Sequence, residues 1–159
     1  MEKPASLRAA ITAVLPDLGR DSDRLKIWLD EGRIRSPMTA SRAFSWEYKL
    51  HLVVTDYTDH PSIIFLAVND WLRTNQPDVL AAGAGRGYSF NADILDDTTI
   101  DLVVELDLTE QVVLVPREGG GFDLQHLSEP DPLFADDMPI GETLAPLAQI
   151  YMGGEQVVP

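Results

Sequence analysis

Between Ser45 and Thr55 polar and apolar side chains alternate, broken only at Val53. Trp46, Tyr48, Leu50, Leu52 and Val54 share one face, and Glu47, Lys49 and His51 share the other. Successive strand residues point to opposite faces, so the pattern predicts a strand buried on one side only. The period then changes. Ile63, Ile64, Ala67, Val68, Trp71 and Leu72 recur at three- and four-residue spacing, which predicts an amphipathic helix. Asp59 or His60, beside Pro61, is placed to cap its start, and Asn75 to Pro77 end it. An earlier helix is expected over residues 5 to 15, where Leu7, Ile11, Val14 and Leu15 keep helical spacing behind Pro4. Pro16 and Gly19 are expected to stop it. Leu25, Ile27 and Leu29 then alternate with Lys26, Trp28 and Asp30, a half-buried strand leading to a tight turn at Glu31-Gly32.

The second half reads as hairpins. Phe90, Ala92 and Ile94 alternate, Asp96-Asp97-Thr98 turns, and Ile100, Leu102, Val104, Leu106 and Leu108 alternate again. Gln111 to Val115 then meets Phe122 to Leu127 across Pro116-Arg117-Glu118 and three glycines. From Ser128 the period is lost in SEPDPLFADDMPIGETLAP, an extended acidic and proline-rich connector. AQIYMGGEQVVP closes the chain as a short hairpin around Gly153-Gly154. A lone two-stranded hairpin is marginal in water, so it needs a surface to lie on. The order of elements predicts an α+β fold, an antiparallel β-sheet with two α-helices packed on one face, plus the connector and the hairpin arm. The expected boundaries are 1–128 for the domain, 129–147 for the connector and 148–159 for the arm.

Composition narrows the function. Twelve basic residues stand against 26 acidic ones, a net charge of −14, which repels a phosphate backbone and argues against nucleic-acid binding by counterion release. The absence of cysteine removes disulfides, thiolate nucleophiles and cysteine zinc sites together. No stretch approaches the roughly 20 apolar residues that span a membrane. The first residues also lack the apolar core and cleavage site of a signal peptide, so the protein is expected to be made in the cytoplasm, with no membrane partner.

Candidate chemistry is sparse. Asp93, Asp96, Asp97, Asp101, Glu105 and Asp107 form the richest cluster. Paired carboxylates do acid–base work or hold a hard cation. Here, however, Asp101, Glu105 and Asp107 fall on the polar face of a strand, and Asp96 and Asp97 fall in a turn. His51, His60 and His126 lack metal-site spacing. The run GAGRG at 83–87 follows a helix and precedes a strand, the reverse of a phosphate loop, and is expected to be a flexible connection. No catalytic residue, metal or cofactor is therefore expected. Trp71 belongs to the helix stripe and the core, while Trp46 fits either core or a strand-start anchor. Trp28 lies on the polar side of its strand, where an aromatic serves as an interface anchor or faces a second buried layer. The candidate interface residues are Trp28, Arg33, Arg35, Arg86, Ile150 and Tyr151.

Several motifs follow one another in order. K-P-x-S-L-R-x-A starts at Lys3, L-x-I-W-L-D-E-G-x-I at Leu25, and S-x-x-Y-x-L-x-x-V-V-T-D-Y runs from Ser45 to Tyr57. W-L-R-x-N-Q-P-D-V follows at Trp71 to Val79, G-Y-S-F-x-A-D-I-L-D-D at Gly87 to Asp97, D-L-T-E-x-V at Asp107 to Val112 and L-S-E-P at 127–130. A final I-Y-x-G-G-E-x-V starts at Ile150. In this order and spacing the chain resembles the tail completion protein R family of contractile-tailed temperate phages, also found in related contractile bacteriocins. The resemblance covers about Met1 to Pro130 and the terminal motif, and residues 131–145 match nothing. It implies a structural, non-enzymatic virion protein at the head-proximal end of the tail. The expected partners are further copies of itself in a homo-hexameric ring, tail tube and/or sheath protein, and head-connector proteins. In such a ring Asp101, Glu105 and Asp107 would line a lumen or face solvent. Two other readings remain: a small acidic adaptor or inhibitor of a basic protein, and a carboxylate-dependent hydrolase built on Asp93 to Asp107.

Overall fold

The computed structural model describes residues 1–37, 42–80 and 87–129, together with the backbone of 150–152 and 155–158. Three helices lie against one face of a five-stranded antiparallel sheet, the expected α+β arrangement. The helices are α1 (Lys3–Val14), α2 (Pro16–Arg20) and α3 (Ser62–Asn75), followed by a 3₁₀ turn at Pro77–Val79. The strands are β1 (Leu25–Arg35), β2 (Phe44–Tyr57), β3 (Ser89–Ile94), β4 (Ile100–Pro116) and β5 (Phe122–Leu127). β6 (Ile150–Met152) and β7 (Glu155–Val158) pair antiparallel in a separate sheet, within the span expected to be a hairpin.

β2 and β4 form the spine of the sheet, with Leu50 opposite Leu106 and Leu52 opposite Val104. β1 pairs with the free edge of β2. Residues 100 and 102–105 of β4 pair with both β2 and β3, and residues 111 and 112 with both β2 and β5. β3 and β5 must therefore share the edge of β4 that faces away from β2.

All six residues of the predicted α3 stripe are buried, against Leu50, Leu52 and Val54 of β2 and Leu102, Val104, Leu106 and Leu108 of β4. Leu7 and Ile11 of α1, and Leu15 at its C-cap, extend the same core. Alternation in the strands and helical spacing in the helices thus place their apolar faces on one shared layer.

Four local expectations change. Pro16 ends α1 but opens α2, because its missing N–H and fixed φ suit a first helical turn; Gly19 lies inside that helix. The expected turn at Glu31-Gly32 is a bulge within a continuous β1: the register slips between Asp30 and Arg33, and Glu31 sits at φ 51. The two expected segments 100–108 and 111–115 are one 17-residue strand. Pro61 is the N-cap of α3, with no side-chain cap, although His60 Nδ1 accepts the Ser62 N–H at 3.2 Å. The β4–β5 hairpin closes through Gly119, Gly120 and Gly121 at φ 94, 100 and 89, where a side chain would be strained.

Leu106→Ala, at the fully buried centre of this layer, is expected to destabilise the domain by about 2–5 kcal/mol in urea unfolding, since a cavity there has little room to collapse. A loss below about 0.5 kcal/mol, the level of a surface change, contradicts the packing described.

Candidate interaction surfaces

The outer face of the sheet, opposite the helices, carries the residues that strand alternation sends to solvent. One register row crosses it as Trp28, His51, Glu105 and Ser89. Trp28 is 46% exposed, and its ring stacks on His51 at 5.1 Å with only 10° between the planes. The His51 imidazole is 3.1 Å from the Asp30 carboxylate and 3.8 Å from that of Glu105, which accepts the Ser89 hydroxyl at 3.2 Å. The neighbouring row is Asp30, Lys49 and Asp107. Trp28 therefore stands on a stacked support, amid carboxylates, on an open face.

The other sequence-predicted positions distribute as follows. Arg33 is exposed on β1 beyond the bulge, and Arg35 pairs with Glu47 at 2.8 Å. Asp107 is exposed on the same face. Asp101 and Glu105 are half-buried, and Asp101 accepts the Asp56 N–H at 2.9 Å. Arg86, and the GAGR part of the glycine run, lie outside the described residues. So do the connector beyond Glu129 and the side chains of Ile150 and Tyr151, although both of the latter stand on β6. Trp46 is half-buried, edge-on to Tyr48. Asp96 accepts the Thr98 N–H at 2.8 Å and its hydroxyl at 3.0 Å, and these bonds hold its carboxyl below the usual range. That shift is opposite to what a general acid needs. Among the described residues no three His, Asp or Glu side chains gather as a metal centre requires, and no helix is long and apolar enough to cross a membrane.

The structure also brings together residues that the sequence reading missed. Glu110 continues the apolar register Leu102, Val104, Leu106, Leu108 and is only 4% exposed. The Tyr48 hydroxyl donates to its Oε1 at 2.5 Å, the Glu2 N–H donates to its Oε2 at 3.1 Å, and His126 Nδ1 lies 3.2 Å from it. Burial opposes its charge, but these two hydrogen bonds, the N-terminal ammonium and His126 outweigh it and hold the carboxyl below its usual range. Burial, reinforced by Glu110, pushes the Tyr48 hydroxyl up. Next to it, Lys3 Nζ donates to Gln76 Oε1 at 2.6 Å, to the Thr109 carbonyl at 2.7 Å and to Glu129 at 2.5 Å. Gln76 Oε1 also accepts the Thr109 N–H at 3.1 Å. Thr109 lies between the stretches of β4 held by β3 and by β5, so two side chains satisfy its peptide groups where no strand does. A glutamate in phase with four buried aliphatics was the available signal.

A family model described as "P2 phage tail completion protein R (GpR)" matches residues 1–130. Tail completion protein R of Escherichia phage P2 is 36% identical over 159 residues, covering 99% of this chain and 97% of that relative. The chain belongs to the phage tail completion protein R family. That family is one of structural tail proteins, in line with the resemblance read from the motifs. No solved structure matches the chain. The Lys3, Gln76, Thr109 and Glu110 contacts all lie within the stretch that the family model covers.

Glu110→Gln is expected to destabilise the domain by roughly 1–3 kcal/mol at pH 7, because it removes a charged acceptor from buried donors. A lowered carboxyl pKa contributes its stability fully above the unfolded value, about 4.3, and loses it as pH falls through the folded value. The gap between the two proteins in urea unfolding should therefore narrow below about pH 4. Equal stability at pH 7 would show that the buried carboxylate holds nothing together.

Proposed function

We propose that this protein completes a phage tail by closing into a ring at the head-proximal end, six-fold to match the tube, and capping tube and/or sheath. Membership of the family supports the tail role. The observation that favours a ring is that the sheet has two unlike edges. β1, on one side, bears Lys26, Arg33 and Arg35 alongside Asp30 and Glu31, a net of one positive charge; β3 and its turn, on the other, bear only acids, Asp93, Asp96 and Asp97. A head-to-tail contact between unlike edges generates a ring if the rotation closes, and opposite charges then meet at each joint. An open-ended tube keeps adding subunits, so a terminator presents one face that mimics the next ring and one that does not. Trp28 on its stacked support is the anchor offered to the tube, sheath or connector protein in a ring that turns the outer face toward that partner. The C-terminal hairpin is the arm that reaches an adjacent subunit.

Purified protein mixed with tail tubes grown without it is expected to form a cap at one end only and to stop growth there, seen by electron microscopy. Bare ends at high protein concentration would shift the role to head joining through another protein, or to the acidic adaptor.

In a ring that turns the outer face to the axis instead, its carboxylates line the passage for DNA, repelling phosphate so that DNA slides without being held. Asp101→Asn, Glu105→Gln and Asp107→Asn together are expected to leave tail assembly intact and to slow DNA ejection. Failure of assembly in that variant would make these residues interface groups instead.

A further inference from the structure

Past the helices the helix-side face of the sheet carries exposed apolar side chains on either side of buried Glu110 and Val112 and half-buried His126. In register, Ile34 stands opposite Trp46, Val112 opposite His126, and Leu114 opposite Leu124, with Phe122 beyond. All continue the face that buries Leu106 and Leu108, because positions two apart on a strand share a side. Ile34 is 73%, Leu124 67% and Phe122 55% exposed. Large apolar side chains exposed together on one face mark a surface that something else covers.

Two features of this chain point to the occupant. β6 and β7 form a two-stranded sheet of their own, and five of its seven residues, Ile150, Tyr151, Met152, Val157 and Val158, are apolar or aromatic beside Glu155 and Gln156. A two-stranded hairpin is marginal in water by itself and gains from an apolar surface to lie on. The chain also leaves the domain beside the bare strip: Leu127 ends β5, and Glu129 is held by Lys3. The 20 residues from 130 to 149 include four prolines, four acids and no base. At full stretch a tether of that length reaches about 66 Å, more than enough to cross to an adjacent copy.

We propose that the strip made by Ile34, Trp46, Leu114, Leu124 and Phe122 is the landing site for the β6–β7 hairpin of the neighbouring copy in the ring. This rests on the ring reading and adds the surface that the arm occupies. Each copy gives one hairpin and receives one, so the contact is head-to-tail, like the proposed joint between sheet edges.

Because the chain has no cysteine, crosslinking between introduced thiols tests this directly. One batch of protein carries Leu124→Cys and a second carries Gln156→Cys; they are mixed with tail tubes and treated with a short bismaleimide. A covalent dimer joining the two batches is the expected result. A crosslink only within single chains carrying both substitutions overturns the proposal in favour of a hairpin folded on its own domain, and no crosslink in either format overturns docking on the strip altogether. Native mass measurement separates this from the ring reading. Leu124→Asp, at a site exposed enough to leave folding intact, and deletion of 148–159 are both expected to reduce the ring population at least tenfold. If only the deletion does so, the arm stands and this landing site falls. If neither does, the arm plays no part in assembly; if wild-type protein forms no ring even on tubes, the ring reading fails and this inference with it.

Discussion

The structure depends on a mismatch of length. A 17-residue strand spans about 56 Å, whereas helices of 12 and 14 residues span about 18 and 21 Å. One helical layer therefore cannot cover the sheet that β4 organises. Over its middle the match is good, and Leu50, Leu52, Leu102 and Leu106 are fully enclosed. Beyond the helices the same apolar register runs on with less cover, through half-buried Leu114 and exposed Leu124 at one end and exposed Ile94 at the other, whereas Phe90 packs its ring on Phe65 of α3. A domain built to work alone has little reason to keep such an overhang; one built to be completed by neighbours has a use for it.

Where the helical layer ends, buried polar groups replace aliphatic ones. Glu110 and Lys3 join the start of α1, the end of α3, both spine strands and the residue at which the chain leaves β5. Each bond has a charged partner, which makes it stronger than a neutral one and costly to leave half made. The cluster thus fixes the helices on the sheet and fixes the exit point of the C-terminal chain. In the proposed ring, that exit point sets which neighbour the arm reaches.

Much of this was legible in the sequence, and what was missed has a physical cause. Periodicity alone placed α3, the buried faces of β2 and β4, and both β4 hairpins. It split β4 in two because Glu110 interrupts an apolar run, and a glutamate is tolerated there only through Tyr48 and Glu2, 62 and 108 residues away in sequence. It took Glu31-Gly32 for a turn because a bulge and a turn use the same residue types; only the pairing of Arg33 with Glu47 distinguishes them. Alternation turned Trp28 outward correctly, but its support by His51 depends on cross-strand register, which a single strand does not reveal. Family motifs carried the tail role, while the two sheet edges and the bare strip emerged only from the assembled fold.

Hydrogen exchange along β4 and β5, compared between free protein and protein bound on a tail, tests the central claim that this overhang is completed by assembly. The account predicts that amides of Val112 to Val115 and of Asp123 to His126 exchange much more slowly on the tail, while those of Leu102 to Leu106 change little because the helices already enclose them. Unchanged exchange in the overhang of tail-bound protein would contradict it, leaving the exposed apolar face without a part in the tail.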